Sequence, residues 1–374
     1  MTRSVFPTNQ SDYTKEYMFF GESPNTNRND VMKFPKFDSF TQQQLGFFWR
    51  PEEIDCSKDR NDYMRMEPHE RHIFISNIKY QSLLDSVQGR APTLAFLPIA
   101  SLPELETWIT TWAFSELIHS RSYTHIIKNV TNDPSVIFDT ILDVPEILNR
   151  AKLVTDTYDA LIEANNMQLS LRERKIRLAK AMINVYGLES VRFYASFVST
   201  FAFAKRGVME GQGKIMQLIA RDEYLHQGGT HFIISRWLLG HDDPEMQEIM
   251  KMLISVGYVK DTMKLICEQE MLWADYLFQY GSIIGLNSNI LKEYLMWLTD
   301  TRYRSLFAFN GMRGNTDYGY EPLYSVKENP IPWVSEFLES DNTQVAPQEA
   351  EISTYLVGAI DVGVDDDFLS NLSI

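Results

Sequence analysis

The sequence predicts an all-α protein, on three observations. Apolar residues recur with a 3.6-residue period in long blocks from about residue 68 onward. Period-2 alternation, the mark of half-buried strands, is almost absent. The blocks are also bounded by helix start and stop signals, proline or Ser-x-x-Glu at the front and glycine at the end.

Residues 1–35, rich in Asn, Thr and Pro, read as an N-terminal arm ahead of a helical domain at 36–340. Glu67-Pro68 opens the first block, which runs through Ile73, Phe74, Ile78, Leu83 and Leu84 to Gly89. Pro92 and Pro98 then mark a linker. Ser101 and Glu104 form a capping-box pattern for a helix to about Val130, before Asn132-Asp133-Pro134. Ser170 and Glu173 repeat that signature ahead of a helix reaching Arg206. The next block spans Gly213 to Leu239 and stops at Gly240. Gly228-Gly229 should weaken it by roughly 1 kcal/mol per glycine relative to alanine. Two or three further helices are expected between Pro244 and Asn310.

Composition narrows the function classes. The 374 residues carry a formal net charge of −15 with no basic stripe, which argues against a nucleic-acid binder that relies on phosphate neutralisation. No apolar run approaches the ~20 residues of a membrane span, and the first 30 residues lack a secretory signal. The two cysteines, Cys56 and Cys267, are too few for a disulfide framework or a thiolate metal site. A cytoplasmic, reducing compartment is the expectation.

From about Asp341 the character changes: residues 341–374 hold Asp361, Asp365, Asp366 and Asp367 but no Lys or Arg. Tyr355, Leu356, Phe368, Leu369, Leu372 and Ile374 dot this acidic, flexible tail. Composition alone is compatible with a solvated tail or with a peptide that docks into a partner's groove.

The chemistry is carried by Glu-x-x-His, which occurs as Glu116/His119 and again as Glu223/His226. Alone the motif is weak. A carboxylate on the preceding helix accompanies each copy, however: Asp85 lies 31 residues before Glu116, and Glu189 lies 34 before Glu223. Residues at i and i+3 share a helix face, so each Glu/His pair can meet one ion. Four carboxylates buried bare would cost many kcal/mol, and two divalent cations neutralise them. This is the ligand set of ferritin-like di-metal bundles, and oxygen and imidazole donors without thiolate suit iron or manganese alike. Leu83, Leu84 and Val87 around Asp85, and Leu188 and Val191 around Glu189, argue that both carboxylates point inward.

Tyr123 extends the stripe of Glu116 and His119 by one more turn, which brings its phenol near the metals. Phe193, Phe197 and Ile219, at helical spacing from Glu189 and Glu223, can form a dry apolar wall beside the cofactor. His69, His72, His125, His231 and His241 lack carboxylates at ligand spacing and read as structural or solvated, His69 and His72 as exposed.

With these residues in view, the chain resembles the small, radical-generating subunit of class I ribonucleotide reductase from about Tyr17 to the C-terminus. The resemblance is carried by YMFFG (17–21), FFWRPEE (47–53), HIFISNIKYQSLLDSVQGR (72–90), LPELETWITTWAFSELIHSRSYTHII (102–127), ESVRFYASF (189–197), RDEYLH (221–226), ADYLF (274–278), NPIPW (329–333) and QVAPQEAEISTYLVG (344–358). It implies two iron ions per chain, with manganese as a substitute: Asp85, Glu116 and His119 at one site, Glu189, Glu223 and His226 at the other. It implies that Tyr123 becomes a stable radical when the iron reacts with O2, with an external electron donor. It further implies a relay through Trp49, Asp222 and His119, then Tyr355 in the tail, toward a large subunit that reduces ribonucleoside diphosphates. The tail would dock that subunit, and the chain would be a homodimer. Tyr123 and Asp85, in place of Phe and Glu, argue against the manganese–iron variant that lacks a radical. The 165–171 stretch is too short for the β-hairpin of bacterial relatives.

Three other readings make different demands. An iron store would bind far more than two metals per chain, a di-iron oxygenase would consume O2 with a substrate, and a helical scaffold would bind no metal.

Overall fold

The computed structural model describes residues 7–8, 12–167, 169–308 and 321–338. Among them the chain is helical, and the only extended pairings are the isolated bridges Phe19–Ala100 and Ile283–Leu286. The helices are α1 (Pro35–Gly46), α2 (Ser57–Arg65), α3 (Pro68–Gln88), α4 (Pro103–Val130), α5 (Ser135–Phe138), α6 (Pro145–Asn166) and α7 (Leu171–Gly187). A π-turn, Leu188–Arg192, joins α7 to α8 (Phe193–Ala204), and α9 (Glu210–Leu238) follows. The chain continues with α10 (Pro244–Ser255), α11 (Tyr258–Leu277), α12 (Ser288–Ser305) and α13 (Ser335–Leu338).

Four elements close a ring: α3 packs on α4, α4 on α9, α9 on α8, and α8 back on α3. α1 lies across α4 and α9, while α6, α7, α11 and α12 cover the flanks. α8 is buried all round from Phe193 to Phe203, which is what an apolar run without a polar face requires, and most of α9 is buried as well, polar residues included. No helix among the described residues is long and apolar enough to cross a membrane.

Start signals held where the cap residue was free to bond. Ser170 and Glu173 cap α7 reciprocally, and Glu67 with Glu70 does the same for α3 behind Pro68. The Ser101/Glu104 box does not form. Pro103 takes the first position of α4, which makes Leu102 the cap residue. Ser101 Oγ instead accepts the Gly21 N–H at 2.7 Å, and Glu104 Oε1 accepts the N–H groups of Lys33 and Phe34, both at 3.0 Å. Glu104 thus anchors the residues that lead into α1.

One further expectation is corrected. The prolines at 92 and 98 do not make an irregular linker: Pro92–Phe96 is a π-turn and Leu97–Ile99 a 3-10 turn. The described part of the N-terminal arm packs on the helices: Met18 and Phe19 are buried, and Phe20 N–H bonds to Ile99 O at 2.8 Å. α6 ends at Asn166 and α7 begins at Leu171, so no hairpin intervenes.

The glycine pair in α9 has a packing reason. A Cβ on Gly229 would lie 2.5 Å from the Trp108 indole nitrogen, and one on Gly228 would lie 3.2 Å from the Phe40 ring. The backbone there is a seat for Trp108.

Candidate metal centre

Each side of the ring contributes. α3 supplies Asp85, α4 supplies Glu116 and His119, the π-turn supplies Glu189, and α9 supplies Glu223 and His226. All six are fully buried. Their donor atoms fall into two groups, each within 4.8 Å: Asp85, Glu116 and His119 in one, Glu116, Glu189, Glu223 and His226 in the other. Glu116 belongs to both, so the two triads of the sequence reading meet as one cluster with a shared carboxylate.

The cluster fits a pair of divalent ions. Asp85 Oδ1, Glu116 Oε2, His119 Nδ1, Glu189 Oε2 and Glu223 Oε1 are buried without a hydrogen-bond partner among the described residues. Orphaned polar atoms of this kind are costly in a dry core unless something coordinates them. His119 Nδ1 lies 3.3 Å from Glu116 Oε2 and 3.2 Å from Glu223 Oε1, and His226 Nδ1 lies 2.9 Å from Glu116 Oε1. Four carboxylates and two imidazoles are hard-to-borderline donors suited to iron or manganese.

Burial and mutual charge set the acid–base character of the cluster. Burial raises Asp85 well above the usual carboxylate range, with the Glu116 charge adding to it, and burial with the Glu223 charge does the same to Glu189. Glu223 moves the other way: burial is outweighed by Glu189 and the two histidines that lie against it. Burial opposes charge on both histidines, yet Asp222, Glu116 and Glu223 hold His119 well above 6.5, and Glu116 and Glu223 push His226 up to about 9.

The surroundings add three connections. Tyr123 Oη donates to Asp85 Oδ2 at 2.5 Å, and burial together with Asp85 raises the phenol's pKa well above 10. Asp222 Oδ2 accepts from Trp49 Nε1 at 2.9 Å, His119 Nε2 at 3.0 Å and Ser115 Oγ at 3.3 Å. On the other side Tyr158 Oη donates to Gln88 Oε1 at 2.8 Å, and Gln88 Nε2 donates to Glu189 Oε1. Phe193, Phe197 and Ile219 are fully buried, and the two phenyl rings stack at 6.0 Å. Tyr355 lies outside the described residues.

Sequence reasoning missed Gln88, Tyr158 and Trp112, whose Nε1 donates to Glu116 Oε1 at 2.9 Å. Gln88 stands at i+3 from Asp85 and Trp112 at i−4 from Glu116, so same-face spacing to a ligand was the available signal. The other histidines are held structurally: His69 bonds Ser282 O, His72 Tyr276 O, His125 Ile54 O and His231 Ser305 O. His69 and His72 are half-buried rather than exposed.

The chain is similar to known proteins of one family. The family model described as "Ribonucleotide reductase, small chain" matches residues 27–330. The chain is 47% identical, over the full length of both, to ribonucleoside-diphosphate reductase 1 subunit beta of Escherichia coli O157:H7. It is 46% identical, again over both full lengths, to the ribonucleoside-diphosphate reductase subunit beta of Haemophilus influenzae. The fold is similar to that of the ribonucleotide reductase R2 subunit from Clostridium botulinum, with TM-score 0.74 at 24% identity, covering 91% of this chain and 99% of that one.

Proposed function

The chain belongs to the family of ribonucleotide reductase small chains and is a beta subunit of that oxidoreductase; from this premise we propose that its six buried ligands hold two iron ions and that Tyr123 is the residue oxidised to a stable radical. The observation that carries the reading is the 2.5 Å hydrogen bond from Tyr123 to Asp85, a ligand carboxylate. A phenol that gives up an electron becomes a strong acid, so its proton needs an acceptor in place. Asp85 Oδ2 is that acceptor.

When bound, two iron(II) ions supply two of the four electrons that reduce O2, Tyr123 gives one, and an external donor gives the last. The chain's own part is to exclude water and to orient its ligands. Asp222 fixes the tautomer of His119 by accepting from Nε2, which leaves Nδ1 for coordination. Trp49 stacks on the His119 ring at 6.4 Å and donates to the same Asp222 oxygen, so histidine, carboxylate and indole are contiguous. We read this string as the way the oxidising equivalent leaves, with Tyr355 as the next step.

Ribose reduction belongs to the large subunit. Cys56 and Cys267 are buried, and burial pushes their thiols up to about 12 and about 11, so neither is a thiolate at neutral pH. The chain works with a large subunit and as a dimer, and the acidic tail at 341–374 is the segment we assign to docking.

The test is an electron paramagnetic resonance spectrum after anaerobic iron(II) loading and brief exposure to O2, with Tyr123→Phe alongside. A tyrosyl signal in the wild type only, with two irons per chain in both, is the expected result. Iron oxidation with no radical in either protein would displace this reading in favour of an oxygenase or a store. Removing residues 341–374 should leave the radical yield intact while abolishing nucleotide reduction in the presence of the large subunit.

A further inference from the structure

A second buried cluster lies behind the π-turn. Glu270 of α11 is fully buried and bound by two guanidiniums. Arg150 of α6 donates from Nε to Glu270 Oε1 at 2.9 Å and from Nη2 to Oε2, and Arg192 donates from Nη1 to Oε1 at 3.1 Å. Tyr80 of α3 adds its hydroxyl at 3.4 Å, and Arg192 Nη2 donates to Gln269 Oε1 at 2.6 Å. Arg150 is itself fixed, lying over the rings of Tyr80 and Trp273 at 3.3 and 4.3 Å.

Arg192 closes the same π-turn that carries Glu189. In a regular α-helix residues three apart share a face, so Glu189 and Arg192 would point together. The wider turn splays them, Glu189 toward Glu223 and Arg192 toward Glu270. π-turns are rare, and the regular α-helix competes with them. A buried ionic cluster is seldom the cheapest way to fill a core, and what it offers is a defined geometry. Two braces here start from α3: Gln88 holds the carboxylate of Glu189, and Tyr80 with Glu270 holds Arg192.

We propose that Arg192, anchored by Glu270 and Gln269, is a positioning residue that keeps the π-turn from relaxing into regular helix and so holds Glu189 in the metal cluster. The inference rests on the di-metal reading for its consequence, but the clamp itself is made of protein side chains alone. Two measurements on the full-length protein test it: manganese(II) binding followed by electron paramagnetic resonance, and hydrogen–deuterium exchange without metal. Wild type should hold two manganese ions. Arg192→Gln should weaken one of them at least tenfold and speed exchange across 188–193 at least tenfold, with exchange in α3 and α9 unchanged. Arg192→Lys should recover part of both effects.

Unchanged binding and exchange in Arg192→Gln would overturn the proposal. So would equal weakening of both ions with faster exchange throughout the core, which is the behaviour of a residue that merely stabilises. If Arg192→Gln does not fold, Gln269→Ala decides on the same readouts, with an effect of about threefold expected and no effect overturning it. A wild type that binds no manganese would sink the di-metal reading, while the exchange data would still decide whether Arg192 pins the turn.

Discussion

One oxygen of Asp222 serves an indole, an imidazole and a hydroxyl, and that sharing makes it a sensitive position. Replacing it with alanine frees His119 to rotate and leaves the Trp49 N–H unpaired in a dry site. Partners of ligand histidines typically contribute 10–100-fold in metal affinity. Asp222→Ala should therefore lose about tenfold or more in iron(II) affinity in an equilibrium titration. Trp49→Phe should keep both irons and the tyrosyl signal yet lose turnover with the large subunit. The clustering of these carboxylates and histidines was legible because Glu-x-x-His and a lone carboxylate repeat at similar spacing. Tyr158 was not, since its link to Glu189 runs through Gln88 and joins three separate elements, which no local pattern records.

At the scale of elements, α9 shows what a propensity rule leaves out. Two glycines in mid-helix look like a weakness, but Trp108 occupies the space a Cβ at 229 would need. Gly229→Ala should destabilise by about 1–3 kcal/mol through overpacking, read as a lower urea midpoint. Gly228→Ala should cost less, because its neighbour is the edge of the Phe40 ring at 3.2 Å. His231 ties the same helix to the end of α12 through Ser305 O, and burial lowers its pKa from 6.5 to about 4. Between those values the unfolded chain takes up a proton that the folded chain refuses, so stability falls as pH drops. Between pH 7 and pH 5 this one group should remove about 2 kcal/mol, and His231→Gln should show a correspondingly flatter loss in urea unfolding. An equal slope in both proteins would refute the assignment. The long helices from 68 to 130 and from 170 to 305 were visible in the 3.6-residue period. α1 and α2 were not, because they are short and largely polar, and the 92–99 turns were hidden by prolines that normally end helices. Ser101 and Glu104 misled for a related reason: their oxygens are engaged by the N-terminal segment, a long-range choice invisible in a four-residue motif.

For the whole molecule, the all-α class followed from periodicity, while the way in which α3, α4, α8 and α9 close on one another is a tertiary fact that only the repeated ligands hinted at. Those ligands run from Asp85 to His226 and sit on every side of that ring. An ion pair bound there acts as a cross-link that the unfolded chain cannot form. At a free metal concentration 100 times its dissociation constant, a single site contributes about 2.7 kcal/mol to the folded state. Chelation should accordingly lower the midpoint of the whole bundle in one transition instead of loosening a single helix, as differential scanning calorimetry with and without a chelator would show. Metal supply then sets the lifetime of the polypeptide as well as its activity: in limited proteolysis, chains made without metal should be cut first, and loaded chains should persist.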